Sequence, residues 1–392
     1  MKQKIYLDHS ATTPTDRRVI EAMLSYFDKK FGNPSSLYRL AQEAQKAREE
    51  AREKVARLLS AKPGEIVFTG CGTESDNHAL KGIAFANKEK GNHIITSSIE
   101  HHAVLNTCKW LEKQGFEVTY LEVDQNGIVD LEQLENSITD KTSLISIMHA
   151  NNELGTIEPL EEIGELAKEK GVYFHTDAVQ SVGKIPVNVN KLNADLLSLS
   201  AHKLYGPKGV GALYIRKGTQ IHSLLHGGHH ENNQRAGTEN IPGIVGVGKA
   251  VEIAMEEGKE EEKRIQKLRD RLEKSLKEKI EDVKLNGHPQ RRLPGILNIC
   301  VRYIEGESML LQLDAQGIAA SSGSACTSGS LKPSHVLTAI GVDSETAHGS
   351  LRFSLGKDNT EEHVEKVIDL LPPIVERLRE MSPLGKGKTS GN

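Results

Sequence analysis

Cysteine is scarce: the 392-residue chain has four (Cys71, Cys108, Cys300 and Cys326), and no two form a CxxC pair. That excludes a disulfide scaffold and leaves a structural zinc site without its usual ligand spacing. Read singly, each is a small buried hydrophobe, and Cys108 and Cys300 keep that reading. An excess of charge of one sign is lacking too. Lys and Arg number 50 against 54 Asp and Glu, a net charge of -4. A dedicated nucleic-acid binder draws its affinity from a basic surface, so that class is excluded. No apolar stretch approaches the ~20 residues that a membrane helix needs. The opening Met1–His9 reaches Asp8 and His9 before a signal-peptide apolar region forms, so a cytoplasmic protein is expected. What is present, 37% hydrophobic and 27% charged residues, is a globular balance. The length suits one large α/β domain and a smaller one.

Short β-branched runs alternate with helical patterns through the first two-thirds of the chain. The predicted strands are Glu65–Thr69, His93–Ser97, Glu117–Glu122, Ser143–His149, Val172–Thr176, Asp195–Ser198 and Val210–Ile215. Ala103–Gln114 and Leu160–Lys170, between strands, have helix period. Such alternation predicts a mainly parallel sheet with helices on both faces, binding ligands beyond the carboxyl ends of its strands. After Pro242, Ile265, Leu268, Leu272, Leu276, Ile280 and Val283 mark one apolar stripe on a long charged helix. From Pro294 a second α/β pattern follows: strands Gly295–Val301, Ile318–Ser321 and Ser350–Leu355, with a helix around Ser308–Gln316 and a final helix. The expected division is a large domain over 15–255 and a small domain from 1–14 with 256–381. The tail 382–392, rich in Gly, Lys and Ser, is expected to be disordered.

Chemistry is expected in the polar residues that follow the strands. Lys203, in Ser200-Ala201-His202-Lys203, stands just past a strand end among small residues, where a shiftable lysine can form a Schiff base. Taken alone it reads better as an ordinary surface lysine in a glycine-rich loop. Asp177 closes the run Tyr173–Asp177, with Gln180 after it. Pyridoxal phosphate needs a carboxylate to keep its ring nitrogen protonated and a lysine to carry its aldehyde, and the pair supplies both. Asp177 alone is also a good helix N-cap. Thr69–Asp76 reads as strand end, glycine turn and helix start, either an anion site or a plain capping turn. His101 and His102 follow another strand; one imidazole there can stack on a planar cofactor, whereas adjacent residues point apart and disfavour joint metal ligation. His226, His229 and His230 read as a glycine-rich loop with incidental histidines rather than a metal site. Cys326 sits in a loop of Gly, Ser, Ala and Thr, which suits a reactive thiolate as well as an incidental cysteine. Arg352 is either a bidentate carboxylate fork or a salt-bridged strand residue.

Taken together, these segments resemble the cysteine desulfurases of the class V aminotransferase group, the NifS/IscS-like branch. The resemblance runs from Tyr6–Pro14 and Gly32–Ser36 through Glu100–Ala103, Asn151–Gly155 and Arg235–Asn240 to the Arg352 strand. Its most specific pieces are Ser200–Lys203 and Ser322–Cys326. It implies the aspartate aminotransferase-like fold of pyridoxal 5'-phosphate (PLP) enzymes. It also implies conversion of L-cysteine to L-alanine with sulfur carried on Cys326 as a persulfide. By position it implies Lys203 as the Schiff-base lysine, Asp177 at the ring nitrogen, and His101 on the ring face. Gln180 and Asn151 would meet the phenolic oxygen or substrate; Gly72, Thr73, Ser200 and His202 the phosphate. Thr238 would complete the phosphate site of the other subunit in a homodimer, and Arg352 with Asn33 would hold the substrate carboxylate. The implied partner is a sulfur acceptor such as an iron–sulfur scaffold or the tRNA-thiolation machinery, and a transient cluster bond to Cys326 stays open. Ser10, where the family often has Ala, and Cys71 in the glycine turn are departures.

Overall fold

The computed structural model describes residues 4–322 and 333–382. Its twelve strands, in chain order, are β1 (Ile5–Tyr6), β2 (Ile66–Thr69), β3 (His93–Ser97), β4 (Glu117–Leu121), β5 (Thr142–Ser146), β6 (Tyr173–Asp177), β7 (Leu196–Ser200), β8 (Gly211–Ile215), β9 (Val283–Asn286), β10 (Ile296–Val301), β11 (Ile318–Ala319) and β12 (Ser350–Ser354). Seven of them form one sheet in the order β2-β8-β7-β6-β5-β3-β4. Only β8 departs from the expected parallel arrangement, running antiparallel to both β2 and β7. A tight turn after Lys203 sends β8 straight back along β7, which a short connection can do only antiparallel.

Both faces of this sheet are apolar because successive side chains alternate. Ile145, Leu197 and Tyr214 join one cluster, while Leu144, Leu196 and Leu213 join the other. Strands β2, β3, β5, β7 and β8 are buried over their full length, whereas the edge strand β4 is buried only at Leu121. A second sheet, β12-β10-β9, is antiparallel throughout. It packs with Leu268, Leu272, Leu276 and the final helix Glu361–Met381 into a separate cluster.

The long helix spans Ile241–Lys279, opened by the Asn240 side chain accepting from Gly243 N. Its first half packs in the large-sheet cluster through Val247 and Val251, its second half in the other through Leu272 and Leu276. The expected stripe overruns this helix at its end. The helix stops where Ile280 becomes extended; Asp282 then takes a left-handed backbone (φ 54°) that turns the chain, and Val283 already lies in β9. No helix among the described residues is long and apolar enough to cross a membrane.

The N-terminal segment ties the two sheets together. Leu7 O accepts from Ser354 N at 2.8 Å, and Thr13 N donates to His202 O at 3.0 Å. Residues 8–13 consequently lie across the turn that carries Lys203.

Candidate active site

Strands β2, β3, β6 and β7 all point their carboxyl ends to the same edge of the large sheet. There they border a cavity of about 990 Å³ that opens to solvent. Gly72, Thr73, His101, Asp177, Gln180, Ser200, His202, Lys203 and Arg352 all line it, as the sequence led one to expect.

At one end, β2 runs through Gly70 and Cys71 into the 15-residue helix Gly72–Ala86. A helix start offers free backbone amides and the positive end of the dipole, a ready anion site. Gly72 is needed for space: a Cβ there would lie 2.7 Å from Val179 Cγ2. The buried Ser200 hydroxyl beside it has no hydrogen-bond partner. Glu74 is not available to repel an anion, since it accepts from Gly70 N at 2.8 Å and from Arg235 Nε at 2.9 Å.

In the middle stand Asp177 and Lys203, at the ends of neighbouring strands β6 and β7. Asp177 accepts from Val179 N at 2.9 Å. Burial raises its carboxyl above the ordinary aspartate value, and Lys203 opposes that rise. Lys203 follows β7 by a single turn, Ala201–Lys203, held by Gly206 N on Ala201 O and by the left-handed Tyr205 (φ 61°). Its Nζ donates to Ser10 O at 2.5 Å and Ala11 O at 2.7 Å.

His101 caps the helix His102–Glu112, its Nδ1 accepting from Ala103 N at 3.1 Å. That bond leaves the proton on Nε2. Burial, then Lys203 and His102, lowers His101 to about 4, so it is neutral near pH 7. His202 is likewise lowered to about 4, by burial and by surrounding lysines. On the opposite wall Arg352, from β12, donates to Asp8 Oδ1 at 2.7 Å and to Asn152 O at 3.0 Å. Its buried Nε has no partner.

Two residues expected at this cavity, Asn151 and Asn33, do not line it, and Thr238, expected at the other subunit's site, stands off it as well. Asn151 is wholly engaged in its own turn: Nδ2 donates to Ile99 O, and Oδ1 accepts from Glu153 N and Leu154 N. Its neighbour Asn152 lines the wall instead. Asn33 is exposed, its Oδ1 closing a local turn with Ser35 N at 3.0 Å. Thr238 is exposed in a loop that Arg235 pins to Glu74. Cys326 lies outside the described residues.

Sequence reading missed Asp76, a fully buried carboxyl four residues into the helix that starts at Gly72. Burial first, then Asp177, raises it well above the usual range, so Asp177 is the member of this pair that more readily carries the charge. The signal was present: Asp76 is an acid on the inward face of a helix otherwise lined by Ala79, Leu80 and Ile83.

Residues 5–367 match the profile of the family described as Aminotransferase class-V. The chain is 60% identical to "Cysteine desulfurase IscS" of Methanosarcina thermophila, over 97% of this chain and 94% of that protein. It is 57% identical to the protein of the same name from Dictyoglomus turgidum, over 98% and 97%. Among solved structures, a "NIFS-like protein" superposes with a TM-score of 0.90 at 43% identity, covering 96% of this chain and all of that one. "SspA in complex with cysteine" does so at 0.80 and 40% identity, covering 90% and 99%. With a family match over residues 5–367 and identities this high across nearly the whole of both chains, the chain belongs to the class-V aminotransferases and, within them, to the cysteine desulfurases of the IscS/NifS-like branch.

Proposed function

We propose that this chain converts L-cysteine to L-alanine with PLP, stores the sulfur as a persulfide on Cys326, and passes it to an acceptor such as an iron–sulfur scaffold. One observation carries the reading: Asp177 and Lys203 end adjacent strands in a single cavity whose far wall presents Arg352. The residues present fit PLP. The unpartnered Ser200 hydroxyl and the helix start at Gly72, with Thr73 and His202, suit its phosphate. Asp177 suits the ring nitrogen, Lys203 the aldehyde, His101 the ring face and Gln180 the phenolic oxygen. Bound there, PLP supplies an electron sink for the pair left when the substrate Cα loses its proton.

The chain's own groups do the rest. Arg352 Nε, with no protein partner, offers one N–H for the substrate carboxylate, while Asp8 and Asn152 O hold the other two arms in place. Lys203 Nζ, once free, takes and returns the Cα proton. Neutral His101 presents an N–H that suits the substrate sulfur. The Cys326 thiolate attacks that sulfur; an S–S bond forms, the Cβ–S bond breaks, and Cβ gains a proton to give alanine. The assay is direct: alanine should appear in equal amount to sulfide when a thiol reductant turns the enzyme over, and alanine without sulfide would sink the proposal.

Replacing the fork tests the substrate assignment. Arg352→Gln should raise KM for L-cysteine roughly 10- to 100-fold, the range for one hydrogen-bonded charge pair, with a smaller change in kcat. An unchanged KM would remove Arg352 from the substrate site.

A pH effect follows from Asp177. It pairs with a protonated ring nitrogen only as a carboxylate, and its proton affinity is raised by burial. Cofactor retention should therefore weaken as pH falls, beginning above the ordinary aspartate value of about 4. Asp177→Asn should lose that acid-side dependence and hold PLP weakly at every pH, as equilibrium dialysis would read.

The functional unit we propose is a homodimer. Thr238 is exposed and stands off the cavity of its own chain, while Arg235 fixes its loop. An isologous pair would let each Thr238 reach the other's phosphate site. Full activity in a sedimenting monomer would refute this. We propose a division at 15–255 against 1–14 with 256–381: the largest apolar clusters fall one on each side, the long helix running through both, while a smaller one joins Ile99 and Met148 to Val336 and Leu337 across it.

A further inference from the structure

A second lysine beside the site has no part in the reading above. Lys184 stands four residues after Gln180, and its Nζ donates to Gln180 Oε1 at 3.1 Å. Gln180 Nε2 in turn donates to Ser10 O at 2.9 Å. Lys203 Nζ donates to the same carbonyl oxygen at 2.5 Å. The four groups form one hydrogen-bonded chain, Lys184–Gln180–Ser10–Lys203.

An ammonium can only donate. While Lys184 holds its proton, the carbonyl end of the Gln180 amide faces it and the NH2 lies on the side of Ser10 and the cavity. Were Lys184 an acceptor, the amide would turn over and offer the cavity an oxygen. The amide itself is 5% exposed, so it has little water to bond with instead.

Lys184 also stands between two spaces. It lines a second cavity of about 840 Å³, which shares only Ser10 with the first among their lining residues. The side chain is half-buried. Burial, then repulsion by Lys203 and Arg352, lowers Lys184 to about 7. Repulsion between two ammonium groups is mutual, so Lys184 disfavours a proton on Lys203 by the same interaction. A neighbouring cation is one of the known ways to make a lysine a better nucleophile near neutral pH. His9 and His202, which feel the same charge, are both lowered to about 4 and add no competing cation.

We propose that Lys184 is a positioning residue of this active site, whose charge bears on Lys203 and whose hydrogen bond turns the Gln180 NH2 toward the cofactor. The proposal rests on the reading of Lys203 as the residue that carries PLP.

The test is a pH titration of the visible cofactor band in the holoenzyme and in Lys184→Arg, Lys184→Gln and Lys184→Met. Gln and Met remove the charge, so the band's midpoint should rise by roughly one unit, a tenfold gain in proton affinity on the Lys203 nitrogen. Arg keeps the charge and should stay within a few tenths. Gln still donates to Gln180, whereas Met cannot, so only Met should also weaken cofactor affinity, by roughly 3- to 10-fold. A wild-type midpoint in both uncharged variants overturns the proposal. Should Lys184→Met fail to fold, Lys184→Gln alone decides the charge question. A Lys184→Gln protein with an unchanged melting temperature that takes up no cofactor also counts against a positioning role. A wild-type protein with no visible band would instead break the underlying PLP reading, so the two failures are distinct.

Discussion

Lys203→Ala is expected to purify colourless and to desulfurate L-cysteine at least about 10³-fold more slowly, the scale on which removing a covalent catalytic group acts. Fold stability should change little. The lost ammonium frees two acceptors, Ser10 O and Ala11 O, but Ser10 O keeps its bond from Gln180 Nε2. The electrostatics should shift in known directions. Lys203 is a cause of the low values of His101 and Lys184, so both should bind protons more readily without it. It also opposes the rise of Asp177, which should climb further. Lys203→Arg separates charge from chemistry, because it restores the cation but cannot carry an aldehyde. That variant should stay colourless and slow while returning His101 toward its wild-type value by NMR titration. Borohydride treatment of the wild-type protein should leave the cofactor mass on the Lys203 peptide. Label on another lysine, or a coloured and active alanine variant, would overturn the assignment.

The parts of the site that were legible in the sequence are those fixed by local structure. Asp177 is the last residue of β6 and Lys203 lies one short turn past β7, at the carboxyl ends of strands where such a sheet binds ligands. Gly72 was legible as a helix start after a strand, which fits an anion site and a plain capping turn alike until Ser200 is found beside it. The rest depends on long-range packing that spacing does not encode. Asn151 and Asn152 are chemically identical neighbours, and only the turn closed on Glu153 and Leu154 decides which one faces the cavity. Asp8 and Arg352 meet across 344 residues, because a parallel bridge between Asp8 and Ser354 lays the N-terminal segment beside β12. Lys184 reads as one more lysine after a turn until burial places it against Gln180. The antiparallel β8 and the early end of the long helix were missed for a related reason. An apolar pattern continues through Ile280 and Val283, yet the backbone is already extended at Ile280, and that ends the helix.

Cys326→Ser should separate sulfur transfer from everything that precedes it. Cofactor binding and removal of the Cα proton call on Lys203, Asp177 and His101, none of which needs a thiol. The variant should therefore keep its colour, bind L-cysteine with a spectral change, and exchange the Cα proton with solvent. It should form no persulfide, and alanine release should fall on the order of 10³-fold or more, since a serine hydroxyl stays protonated at neutral pH and is a poor nucleophile toward sulfur. The other cysteines offer little rescue. Burial pushes the thiols of Cys108 and Cys300 above the usual range, and both side chains are closed off in apolar clusters. Cys71 is different: it is partly exposed, caps the helix that starts at Gly72 and lines the cavity itself. It stands at the phosphate end, on the side of Gly72 and Ser200, whereas the substrate carboxylate is expected at Arg352 on the opposite wall. Cys71→Ser should accordingly keep persulfide formation within a few-fold of wild type. The readout is trapping of the persulfide by alkylation followed by peptide mass analysis, alongside the alanine assay. If Cys326→Ser released alanine and sulfide near the wild-type rate while Cys71→Ser did not, the acceptor thiol would be Cys71 and the transfer would run within the cavity wall.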